Sequence, residues 1–428
     1  MRLLTHCVCT LLACCSALWG VSPSKAPPPG CDSMLAFSSE VSLSEGSGNI
    51  HSRSLSPWTW RATTVKDQIP STLPSPQPTL RDVEVPPLFR ERFIRSGYRP
   101  AGLPWRCYAL SLFQLHNETL NVWSHLLAAL CVTLRFTAFV GPEGQGFSVD
   151  ASSLPLVLYV LSAVTYLSCS TAAHLLQSHS ELAHYSLFFL DYVGVAVYQY
   201  GCALALWLYS SNAVWMQSML GQVYLPAAAF LAWFSCAACC YAKLRFRRPY
   251  PLHRKLCQLL PMGVAYLLDI SPVAHRLATH SWSSSPALLL HFLQVVLFLL
   301  SAFFFSCPVP ERFSPGRFDI IGHGHQLFHI LLALCTFAQQ EALFQDFLWR
   351  RPALVREFGE ERLLLSCASF PCLALCCALT AFAMRRQAQL QLMKDVTESF
   401  FIDRGPAASL LKGWGRDHVT QKQEVAVL

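Results

Sequence analysis

Between residues 119 and 384 the chain repeats one pattern eight times: a run of about twenty mostly apolar residues, closed by a polar connection. The runs fall at approximately 119 to 140, 153 to 177, 184 to 209, 219 to 242, 256 to 276, 286 to 306, 322 to 344 and 363 to 384. Twenty residues of α-helix cover about 30 Å, the depth of a bilayer's hydrocarbon core. An open sheet in lipid would leave backbone N–H and C=O groups unpaired, so helices are predicted. The expected fold class is all-α: a polytopic membrane helix bundle of seven core spans plus an eighth, with the last run as the irregular member. Composition agrees, since only 13% of residues are charged, against about a quarter in an ordinary soluble domain.

The rest of the chain divides around these runs. Residues 1–80 have an apolar start followed by a Ser/Pro-rich stretch with no sustained apolar period, expected to be disordered. The start reads either as a signal peptide or anchor, or as an extension acylated at Cys7, Cys9, Cys14 or Cys15. Residues 81–118 form a basic segment before the first span, 119–384 the bundle, and 385–428 a tail. Lys and Arg cluster before the first run, between the fourth and fifth (Lys243, Arg245, Arg247, Arg248, Arg254, Lys255), between the sixth and seventh, and after the eighth. The alternate connections 141–152 and 210–217 carry none, which predicts a cytoplasmic N-terminus and tail. Arg350, Arg351, Arg356 and Arg362 break this rule before the last run. Basic residues grouped between spans exclude a nucleic-acid-binding strip. Of the 19 cysteines most lie inside apolar runs, where they read as small packing residues; Cys236, Cys239 and Cys240 lack a second pair at finger-like spacing.

Ionisable residues inside a span are costly, so each calls for a partner and a role. His174, Asp191, His325 and His329 stand out. The run His325-Gln-Leu-Phe-His329 places two imidazoles on one helix face, about 6 Å apart along the axis, so both can reach one metal ion. If the spans alternate in direction, the end of the second, the start of the third and the start of the seventh share one membrane face, and all four side chains share one depth. Three imidazoles with a carboxylate or water suit a tetrahedral Zn2+ shell. The same side chains could instead cap helices or hydrogen-bond across the bundle. Ser170, one turn before His174, could orient a water or meet a developing oxyanion, or bond back to its own helix. Asp269 is either part of a structural network or a wall of the site. Arg135 is expected to snorkel, and the glycosylation-type motif Asn117-Glu118-Thr119 to stay unmodified on the cytoplasmic side.

Several ordered motifs resemble one family. Ser111-Leu-Phe-Gln-Leu-His116-Asn117-Glu118, Ser170-Thr-Ala-Ala-His174, Asp191 and His325-Gln-Leu-Phe-His329 look like the progestin and adipoQ receptor family, over about residues 82 to 390. Gly97-Tyr98-Arg99-Pro100, Asp191-Tyr-Val-Gly-Val, Tyr198-Gln199-Tyr200-Gly201 and Asp269-Ile-Ser-Pro are nearer the membrane progestin receptors than the adiponectin receptors. The resemblance implies zinc held at His174, His325 and His329 with Asp191 in the site, and an N-terminus inside. It further implies progestin binding at the plasma membrane, signalling linked to a heterotrimeric G protein, and kinship to intramembrane ceramidases.

Two functions follow as expectations. A steroid receptor would bury its ligand in the apolar bundle, with Tyr198, Gln199 and Tyr200 as candidate donors to ketone oxygens. A zinc amidohydrolase acting on ceramide or another sphingolipid would use Asp191 as proton acceptor and Ser170 at the oxyanion. A transporter fits less well, because the ionisable groups gather at one depth instead of crossing the bilayer.

Overall fold

The computed structural model describes residues 77–141, 147–246, 251–279 and 286–403. The expectations for residues 1–80 therefore fall outside the described residues up to residue 76, and those for the tail beyond residue 403. Among the described residues, regular structure is helical apart from one isolated bridge between Leu80 and Tyr98. The long elements are α1 (Thr119–Val140), α2 (Leu154–Leu176), α3 (Glu181–Ala205), α4 (Met219–Arg245), α5 (Leu252–Asp269), α6 (Ser271–Thr279), α7 (Pro286–Ser306), α8 (Gly324–Phe358) and α9 (Glu360–Asp403). A π-helical turn, Leu206–Ser210, prolongs α3.

Seven helices among the described residues are long and apolar enough to cross a membrane, namely α1 to α4 and α7 to α9, and α5 with α6 makes an eighth segment bent by 47°. The protein is a polytopic membrane helix bundle. The bent member is the fifth span, and the last run, whose flanking charges dissent, is a single unbroken candidate span. Pro272 explains the break: it has no N–H to return to the carbonyl of Leu268 and its ring crowds the preceding turn. Ser271 takes up the orphaned acceptor, its hydroxyl donating to Leu268 O at 2.7 Å. The carbonyl of Asp269, also released at the bend, accepts from the Tyr224 hydroxyl at 2.8 Å.

Neighbouring helices pack in the order α1, α2, α3, α4, α5, and α7 with α8 closes the ring onto α1. Helix α8 is the most enclosed, with 67% of its apolar window buried against 22% for α7. Helix α9 lies against α3 and α4, sharing a core of Tyr185, Phe189, Tyr200, Tyr224, Cys236, Cys240, Phe370 and Cys377. Its thiols are here small packing groups. The helix then continues without a break through the start of the expected tail to Asp403. Arg135 does not snorkel: it forms a two-point ion pair with Glu341 (Nε to Oε1 2.7 Å, Nη2 to Oε2 2.9 Å), joining α1 to α8.

A cluster of three histidines and its carboxylate support

Three local devices set the ends of the helices that carry the site. The first is Arg99, buried before α1, whose guanidinium donates to the carbonyls of His174 (2.7 Å) and Leu175 (2.5 Å) and to Ser111 Oγ (2.9 Å). It occupies carbonyls that the last turn of α2 leaves free, at the negative end of the helix dipole. Burial pushes this guanidinium down to about 10, opposed by the Glu118 carboxylate, so it stays charged at neutral pH. The second is Ser180, the N-cap of α3, which accepts from Ala183 N at 3.2 Å. The third holds the start of α8: Glu311 accepts from Gly324 N at 2.7 Å, and Gln326 and His323 both bond to the carbonyl of Asn117. The stretch of chain before α1 is likewise locked to the connection that leads into α8, through Asp319, which accepts from Arg95 N and Ser96 Oγ. Gly97 makes this fit: its φ is +85°, and a Cβ there would stand 2.5 Å from Ile320.

These anchors bring the end of α2 and the start of α8 together. His174, His325 and His329 each present one ring nitrogen, and the three atoms lie within 4.8 Å of one another. Nε2 of His325 and Nε2 of His329 are 3.2 Å apart. Two nitrogens on one tetrahedral zinc stand about 3.3 Å apart, given Zn–N bonds of about 2.0–2.1 Å. Nδ1 of His174 meets Glu118 Oε2 at 2.7 Å, which leaves its Nε2 for the cluster. A carboxylate on the far nitrogen of a ligating imidazole is the usual support of a zinc site. The donor set and its geometry thus fit a zinc ion, with His174, His325 and His329 as the residues that would hold it.

Glu118 is the residue that sequence reasoning missed, hidden inside a glycosylation-type triplet. Its oxygens accept from His174, from Asn121 Nδ2 (2.5 Å) and from Gln177 Nε2 (2.7 Å). Burial alone would push this carboxyl up, yet His174 and the Asn121 amide hold it well below the usual carboxylate range. Asn117 is buried, so the triplet offers no acceptor to a glycan. The signal was present: Glu118, Asn121 and His125 recur at helical spacing on one face of an otherwise apolar span.

The other singled-out residues fall in different places. Asp191, on α3, is buried with Oδ1 lacking any hydrogen-bond partner among the described residues. It neighbours Ser170, His174 and Lys243, but stands outside the three-nitrogen group. Lys243, counted in the sequence as a loop cation, is buried in the last turn of α4 with its ammonium 3.7 Å over the Phe188 ring. Consecutive residues on a helix point about 100° apart, and Tyr198, Gln199 and Tyr200 accordingly diverge. Tyr198 faces the bundle centre and donates to Gln339 Oε1 at 2.7 Å; Tyr200 pairs with Ser369 on α9 at 2.6 Å. Gln199 turns its buried amide toward the Asp269 carboxyl.

A family model described as haemolysin-III related matches residues 113–340, the stretch that holds Glu118, His174, Asp191, His325 and His329. The chain belongs to the haemolysin-III and progestin and adipoQ receptor family. Within it, the chain is 52% identical to membrane progestin receptor beta of Homo sapiens over 324 residues, covering 75% of this chain and 91% of that protein. It is 47% identical to membrane progestin receptor alpha of Cynoscion nebulosus over 331 residues, covering 76% and 93%. Membrane progestin receptor alpha of Homo sapiens is 52% identical over 284 residues, 66% of this chain and 81% of the relative. The family resemblance read from the motifs is thus shown over most of the bundle.

Proposed function

We propose that this chain is a progestin receptor of the plasma membrane, with its N-terminus in the cytoplasm, an intramembrane zinc site at His174, His325 and His329, and signalling passed to a heterotrimeric G protein. The observation that carries the receptor reading is the 52% identity to membrane progestin receptor beta along 91% of that protein. The bundle interior has suitable chemistry for a steroid, which pairs an apolar ring system with one or two oxygens. Tyr198, Thr336 and Gln339 place hydroxyl and amide groups among apolar walls near mid-span. The orientation rests on the Lys and Arg of alternate connections. The test is saturable binding of radiolabelled progesterone to the purified, zinc-loaded chain in lipid vesicles. Saturation that unlabelled progesterone competes away is the expected result; only non-saturable partitioning contradicts the reading.

A second reading is favoured by Asp191 and Ser170 standing beside the histidines: a zinc-dependent amidohydrolase acting on ceramide or a related sphingolipid. A bound zinc ion would supply Lewis-acid activation of water near neutral pH. The buried, unpartnered Oδ1 of Asp191 would accept the proton lost by water attacking the amide carbonyl. The Ser170 hydroxyl would donate to the oxyanion, and the apolar walls would admit the lipid chains while excluding bulk water. Ceramide turnover that persists in a His325→Ala, His329→Ala protein rejects this mechanism.

A further inference from the structure

His125 lies on α1, two turns after Glu118, and neither the three-nitrogen group nor the supports described above include it. The residue is 2% exposed, and its ring lies tilted against that of His329, with centroids 4.0 Å apart and planes 31° apart. Among the described residues neither buried nitrogen of His125 completes a hydrogen bond to a side chain, only the backbone of His329 coming near, and Nδ1 of His329 and Oδ1 of Asn121 are likewise buried without a partner. Each such atom is costly when left unpaired. Phenylalanine, of which the chain has 28, would fill the same space without that cost.

The four atoms match as donors and acceptors. If His329 turns Nε2 toward His325 and the metal, its Nδ1 carries the hydrogen. A neutral His125 then has one nitrogen to accept that hydrogen and one N–H to donate to Asn121 Oδ1. Asn121 Nδ2 already donates to Glu118 Oε2, and Glu118 already meets His174 Nδ1. Glu118, Asn121 and His125 share one face of α1.

We propose that His125 is a positioning residue for His329 and completes a hydrogen-bonded strip along α1 that runs from His329 through His125, Asn121 and Glu118 to His174. The strip fixes the same tautomer, with Nε2 bare, in two of the three imidazoles from one helix. An N–H lies in the plane of its ring, so the link closes only when the His125 ring turns from this face-on contact to present a nitrogen edge to Nδ1 of His329. The proposal rests on the zinc site, so its test reads metal binding and not activity.

Wild-type, His125→Phe and His125→Gln chains are purified in lipid nanodiscs, and zinc affinity is measured by competition with a chromophoric chelator. Thermal unfolding of the zinc-free proteins is followed in parallel. Removal of supporting hydrogen bonds to metal ligands lowers affinity by about 10- to 100-fold. His125→Phe, which keeps the ring contact, is expected to unfold at or above the wild-type temperature and lose affinity by that factor. His125→Gln, which keeps a donor and an acceptor, recovers most of it. Zinc affinity of His125→Phe within twofold of wild type overturns the proposal, as does a loss that His125→Gln shares in full. A wild-type chain that takes up no zinc instead removes the metal site itself, and the two failures are told apart by the wild-type sample alone.

Discussion

The two ends of α8 carry buried polar clusters of similar make-up and opposite character. Toward its C-terminal half, Asp346 Oδ2 accepts from Ser210 Oγ (2.5 Å), Arg276 Nη1 (2.7 Å) and His291 Nε2 (2.8 Å). His291 Nδ1 in turn meets the Gln294 amide at 2.6 Å. That cluster is closed, and it ties the broken span and α7 to α8. At the N-terminal end of α8, three imidazoles converge on one another, and among the described residues Asp191 Oδ1 and His329 Nδ1 have no partner and neither nitrogen of His125 bonds to a side chain. Buried polar groups are ordinarily satisfied. A histidine and an acid in the interior therefore do not mark function by themselves; whether their hydrogen bonds close within the protein separates a structural network from a ligand site.

Substitutions at the two ends sharpen this contrast. His329→Ala is expected to have the largest effect on metal, reducing zinc per chain to background by elemental analysis. Next, Asp346→Ala leaves Arg276 and His291 buried without their shared carboxylate, which costs about 3–5 kcal/mol. Thermal unfolding should record that loss while zinc content stays at the wild-type value; a loss of zinc here would mean that the two ends are one system. Glu118→Gln puts an amide among the donors of Asn121 and Gln177, and a 10- to 100-fold drop in zinc affinity is expected, about 1.4–2.8 kcal/mol.

The last effect, small near neutral pH, is a pH dependence at His116. Its Nδ1 accepts from Glu118 N at 3.1 Å and its Nε2 meets Ser111 O at 3.2 Å, an arrangement that needs the neutral ring. Burial, reinforced by Arg99, pushes this imidazole from 6.5 down to about 3. The unfolded chain thus takes up a proton that the folded chain refuses. The contribution is complete above about pH 6.5 and is lost as pH falls toward 3, with a slope of up to about 1.4 kcal/mol per pH unit. His116→Gln should flatten the unfolding temperature between pH 6.5 and 5; an unchanged slope contradicts this assignment.

Much of this was legible in the residues. Seven of the eight runs became single spanning helices because apolar length is a strong signal in lipid, and the fifth broke at Pro272, whereas Pro226, Pro261 and Pro371 lie inside helices that run on. His174, His325 and His329 were found together because alternation of spans fixes depth without any knowledge of packing. Glu118 was missed because its partner His174 is 56 residues away, a pairing that only tertiary contact creates. Arg135 was misread for the same reason, Glu341 being 206 residues distant. The divergence of Tyr198, Gln199 and Tyr200 was readable from helical geometry alone, since three successive residues cannot line one wall.

The central claim is that three imidazoles from α2 and α8 hold one zinc ion. X-ray absorption at the zinc edge, recorded on the purified full chain in lipid, tests it most directly. The account requires one zinc per chain with a first shell of nitrogen or oxygen at about 2.0–2.1 Å and the outer-ring scattering of three imidazoles. A sulfur shell at about 2.3 Å, which would move the metal to the cysteines, or a preparation free of zinc would contradict it.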